Sequence, residues 1–223
     1  MSTTTPTTAA AAAPPAAFVR TILHVAWMAI ALGIGLELLL LLAAAGMGTF
    51  KTIQPFVADL VQKVAWATFV CVGLGFGKLA STLRPHLTGL LGFIAAPAGF
   101  NIARTLHKST EKALGMASAG AAGASPMLLA GMKAFEYLCL GILVGWLARK
   151  AWGGSLAHFT AGLGIAIVFG GSIIGVADWY SPVPLNAAGF LARSINELIF
   201  PVGCAMVIYG AELLASQFRT AED

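Results

Sequence analysis

The chain has 223 residues, 58% of them hydrophobic and only 10% charged, with a formal net charge of +4. A soluble domain is about one-quarter charged, so an ordinary soluble domain is excluded. Basic residues that are few, scattered and not interleaved with aromatics also give no nucleic-acid surface. A mean hydropathy of +0.86 and 26 glycines fit helices packed closely in lipid, so the expected fold is an all-α polytopic membrane protein whose main partner is the bilayer.

The N-terminal stretch MSTTTPTTAAAAAPPAA has no charged side chain and too little apolar bulk to offset its ordering entropy, so residues 1–19 are expected to be a disordered tail. Arg20 then precedes an apolar run too long for a signal-peptide core, which reads as a retained anchor. Six spans of about the 20 residues a bilayer core requires are predicted near 22–46, 56–79, 87–106, 127–149, 157–178 and 188–215. The third contains Pro97 and Gly99, so a re-entrant hairpin is its alternative form. One transmembrane domain, 20–217, is expected. A Gly/Ala/Ser linker at 116–124 separates halves 20–115 and 125–217, and a short tail covers 218–223.

Orientation follows from Lys and Arg near the span ends. With both termini inside, the inner face holds Arg20, Lys78, Arg84, Arg149, Lys150 and Arg219, against Lys51, Lys63, Arg104, Lys108 and Lys112 outside. That slight bias predicts N-in, and the short loops fit a bacterial inner (plasma) membrane.

Acidic side chains at bilayer depth cost about 2.5–3.5 kcal/mol on insertion scales, so those present demand a reason. Glu37, Glu136 and Glu197 all fall inside spans. Lys133 precedes Glu136 by three residues and Arg193 precedes Glu197 by four, spacings that place each pair on one helix face as charge partners. Glu37 has no such neighbour and needs a partner from another helix, with Arg104, Lys63 and Lys78 as candidates.

Pro201 adds a second signal. Proline cannot donate to the carbonyl four residues earlier, and here that residue is Glu197, next to Asn196. Carboxylate, amide and freed carbonyl would then meet at one helix break, the device by which many transporters bind cations at mid-membrane. Pro97 would free the carbonyl of Phe93 in the same way, near Asn101. Glu37, Pro85 and Asn101 are also spaced much as Glu136, Pro182 and Asn196, an echo that suggests a 3+3 inverted repeat.

The string GLGFGK at 73–78 lacks the Ser or Thr that a phosphate loop requires after its lysine, so its glycines read as a close helix contact. Gly141 with Gly145, and Gly171 with Gly175, have GxxxG spacing that suits packing within the chain or against another subunit. His24, His86, His107 and His158 form no metal-binding spacing and read as interfacial, Asp178 reads as an interfacial carboxylate, and Cys71, Cys139 and Cys204 read as isolated small hydrophobes. No nucleophile, cofactor or metal pattern emerges, so no enzyme is expected.

Two functions remain. One is a small secondary transporter or channel for a proton or monovalent cation, with Glu37, Glu136, Asn196 and Glu197 binding it, Lys133, Arg193 and Arg104 as charge partners and Pro97 and Pro201 as helix breaks. The other is a non-transporting scaffold, homo-oligomeric or part of a larger membrane complex, held through the four GxxxG glycines.

Overall fold

Apolar runs longer than a bilayer core dictate helices here, because lipid offers no other partner for backbone polar groups. A computed structural model describes residues 15–50, 52–80, 86–116, 124–182 and 186–220, and no strand occurs among them. The helices are α1 (Pro15–Gly46), α2 (Ile53–Ala80), α3 (His86–Ala113), α4 (Pro126–Leu147), α5 (Ser155–Ile165), α6 (Gly171–Trp179) and α7 (Ala187–Thr220). A π-helical turn, Ala166–Gly170, joins α5 to α6 in one continuous span, Ser155–Trp179. Among the described residues six helical stretches are therefore long and apolar enough to cross a membrane, so the chain is an all-α, multi-pass membrane protein. Lys51, Arg84, Pro85, most of the N-terminal tail and most of the expected 116–124 linker lie outside the described residues.

The third span is an unbroken helix, not a re-entrant hairpin. Pro97 is accommodated inside α3, and Asn101 Nδ2 donates 2.9 Å to the carbonyl of Pro97 itself. The polar segment after residue 106 continues the same helix to Ala113.

Glycine sets the spacing of the bundle. A Cβ on Gly77 would lie 2.6 Å from Thr88 Cα and one on Gly73 2.3 Å from Ala95 Cβ, which holds α2 against α3 in antiparallel register, while Gly75 faces Val25 of α1. The GLGFGK glycines thus serve helix contact. Gly92 against Tyr137 O, and Gly89 against Leu138 O and Ile142, do the same for α3 and α4. Gly33 lies against Val64 between α1 and α2, and Gly203 meets Leu32 between α7 and α1, so the ring closes. Its centre is filled by Val70, Leu74, Tyr137, Leu140, Phe200, Cys204 and Ile208.

The two GxxxG pairs part company. A Cβ on Gly141 would stand 2.6 Å from Thr88 O of α3, and Gly145 is buried, so that pair is used inside the monomer and is not free to hold another subunit. Gly171 and Gly175 face outward, with nothing within 4 Å of a Cβ built there.

Candidate functional site

Lys63 and Glu197 each stand about ten residues in from the starts of α2 and α7, which enter from the same face, or roughly 15 Å at 1.5 Å per residue. Glu136 of α4 has a similar depth, and Glu37 approaches it from the far end of α1. At this level the bundle brings its interior charges together.

Lys133 is the centre. Its Nζ lies 2.5 Å from Glu197 Oε2 on α7 and 2.8 Å from Glu136 Oε2 one turn along α4, and its side chain is only 8% exposed. Glu136 is 0% and Glu197 7% exposed. The Glu197 contact is an aligned hydrogen bond, whereas neither oxygen of Glu136 receives one from the described residues. The ammonium also stands 6.0 Å from the Trp66 ring centroid and 5.9 Å from that of Tyr137, at the limit of useful cation–π attraction.

A second pair lies beside the first. Lys63 Nζ is 3.5 Å from Glu37 Oε2, and the Gly33–Val64 approach of α1 to α2 lets these side chains meet. Lys63, counted above as an outer-face charge, stands about ten residues into α2 and is paired with Glu37 inside the bundle.

Both lysines border one cavity of about 90 Å³, lined also by Gln62, Trp66, Phe100, Ala103, Asn196, Glu197 and Phe200. That volume holds about three waters at roughly 30 Å³ each. Trp66 forms its aromatic wall, edge-on to Phe100, Tyr137 and Phe200 at centroid distances of 6.3, 5.7 and 6.2 Å. In charge terms, Glu37, Glu136 and Glu197 stand against Lys63 and Lys133, so with every group ionised the cluster carries one negative charge in excess.

Behind Glu197 two helix irregularities face one another. Pro201 denies the Glu197 carbonyl its i+4 donor, and Gly170, at the end of the π turn, packs so closely that a Cβ would fall 2.8 Å from that carbonyl oxygen. Gly162 likewise approaches Pro201 O and Val202 Cα.

Several expectations change. Arg193 does not pair with Glu197: no contact within 4.0 Å joins them, because Lys133 of the facing helix takes the carboxylate, and Arg193 Nη1 is buried without a hydrogen bond among the described residues. Arg104 is half-buried and forms no ion pair among the described residues, while Glu37 is taken by Lys63. Pro97 and Asn101 contribute no side chain to the cavity, since the Asn101 amide folds back onto its own helix. Lys78 pairs with Glu212 of α7 rather than with Glu37. His158, three residues into its span, is fully buried, with its ring 4.9 Å from that of Tyr209.

The sequence reading missed Gln62, Trp66 and Phe200 as cavity walls. Gln62 with Lys63 was visible as a polar dipeptide inside a span, but nothing marked the aromatics. It also missed the end-of-bundle pair His107–Asp59 at 3.0 Å, which links α3 to α2.

Replacing Lys63 by methionine is expected to lower stability by about 2 kcal/mol. That is less than the loss on breaking a fully buried ion pair, because Lys63 keeps 15% of its side chain exposed. Unfolding in detergent measures the change, and adding Glu37→Gln should recover most of it.

No family model matches the chain, and no match was found among curated proteins or solved structures.

Proposed function

We propose that the chain is a small secondary transporter or channel that carries a proton or a monovalent cation through the Lys133–Glu136–Glu197 cluster. The carrying observation is one buried ammonium held between two buried carboxylates on different helices, at the wall of a cavity. Buried ionisable groups in a membrane protein are costly and commonly mark an ion path.

Lys133 acts as a resident cation. A proton or small cation that neutralises Glu197 removes the attraction holding Lys133 to α7 and leaves the ammonium with Glu136, so loading the site loosens α4 from α7. Asn196 provides an oxygen beside Glu197. Glu37 and Lys63 keep the rest of the cavity close to neutral.

Purified protein in liposomes, under imposed proton, sodium or potassium gradients, tests the reading by dye-reported flux. The wild type should pass one of these ions. Glu197→Gln, eluting as a folded species, should fall to the level of protein-free vesicles. Wild-type vesicles as tight as empty ones to all three ions would end the proposal.

The second reading, an accessory subunit, is favoured by the outward glycines Gly171 and Gly175. It gains if flux is absent and a co-purifying membrane protein is lost on Gly175→Leu.

A further inference from the structure

We propose that Cys71 and Cys204 form a site of oxidative modification, closing to a disulfide that ties α2 to α7 just beyond the cavity. The inference does not rest on transport.

The two thiols are 133 positions apart in sequence, yet their sulfurs lie 3.3 Å from one another. Both are 0% exposed and sit among Val70, Leu74, Ala205 and Ile208, so the approach is fixed by the packed core of the bundle. Forming an S–S bond of about 2.05 Å from this contact asks for roughly 1.2 Å of closure between the sulfurs. Cys139 is free and only half-buried, and it serves as an internal control.

Neither cysteine lines the cavity, but both follow its wall residues along their helices. Cys71 follows the wall residue Trp66 by about one and a half turns of α2, and Cys204 follows Phe200 by about one turn of α7. Burial slows thiols toward every oxidant, because the thiolate is the nucleophile, and it shuts out bulky or charged reagents altogether. The fitting oxidant is therefore a small neutral peroxide, little larger than the waters the cavity could take. One sulfur attacks the O–O bond as its thiolate, giving a sulfenic acid, and the proton it released joins the departing hydroxide as water. The second thiol then displaces hydroxide from that sulfur, and its proton completes a second water. Two thiols and one peroxide become one disulfide and two waters.

The product fastens the helix that carries Lys63 and Trp66 to the helix that carries Asn196 and Glu197. The site would record oxidant exposure as a covalent bond across the cavity walls. Closing a loop of this length also restricts the unfolded chain, so the oxidised protein should melt at a higher temperature.

The full chain in detergent is treated with hydrogen peroxide or with a phosphine reductant, then denatured, alkylated and digested for mass spectrometry. After peroxide, the Cys71 and Cys204 peptides should be recovered joined, two hydrogens lighter than their sum and unalkylated, while Cys139 is alkylated in both samples. Cys204→Ala should leave Cys71 open to alkylation after the same treatment. Should that variant fail to fold, the wild type with and without reductant decides the matter alone. Complete alkylation of both cysteines after peroxide, or a Cys71 link to any other cysteine, overturns the proposal.

Discussion

Replacing Lys133 with methionine should destabilise the folded protein by about 3–5 kcal/mol, the range found when one partner of a buried ion pair is removed. Methionine keeps most of the side-chain length and fills the same channel between α4 and α7, so packing changes little. The electrostatics change greatly. Glu136 and Glu197 share the Lys133 ammonium at 2.8 and 2.5 Å, and without it two carboxylates face each other with no cation between them. The Glu136 oxygens receive no hydrogen bond from the described residues, so nothing else compensates that carboxylate. The same argument fixes the rescue. Adding Glu136→Gln and Glu197→Gln removes the stranded charges and should return most of the lost stability, so the three changes are strongly non-additive. Urea or thermal unfolding in detergent, run on the single and triple variants, measures both quantities. If the methionine variant is as stable as the wild type, the ammonium does not bridge the two helices and the cluster has been misread.

The spans were legible because lipid imposes a single requirement over some twenty residues, which composition alone satisfies. Their ends were less so. The polar continuation of α3 to Ala113 is missed by an apolar count, but HKSTEKA holds no helix breaker and could be read as carrying the third helix past the membrane. Within the site, the Lys133–Glu136 pair could be read directly, since spacing of three on a helix fixes proximity. The same rule pointed to Arg193 for Glu197 and failed, because a tertiary partner at 2.5 Å outcompetes a flexible neighbour on the same helix. Glycines show the limit most clearly. Gly141 and Gly171 each open a GxxxG string, yet one is pressed into α3 and the other faces outward. Which face a membrane helix turns inward depends on its neighbours, and apolar residues on every side erase the usual periodic signal. The approach of Cys71 to Cys204 was hidden for the same reason.

Gly170 and Gly171 are adjacent, and enlarging each to leucine should have opposite outcomes. His158, Gly162, Ala166 and Gly170 are all buried, so the inward face of this span advances in steps of four. Four residues overshoot the 3.6 of an α-helical turn, and an unbroken helix would carry such a face steadily around its axis. The π turn, closed by i→i+5 bonds, takes up the extra residue and keeps Gly170 against α7. There a Cβ would meet Glu197 O at 2.8 Å and Glu197 Cβ at 3.2 Å, backbone and first side-chain atom, neither of which can swing aside. Gly170→Leu must therefore push α7 away, at a cost of about 3 kcal/mol, near the upper end for overpacking. It also carries Glu197 off Lys133, so any flux should be lost with it. At Gly171 a Cβ meets nothing within 4 Å, and leucine there points outward while relieving the helix of a glycine. That change should be neutral or stabilising by up to about 1 kcal/mol. Melting temperatures of the two variants in one detergent decide it: equal losses would mean that the π turn does not aim Gly170 at the Glu197 carbonyl, and that the glutamate is held in place by Lys133 alone.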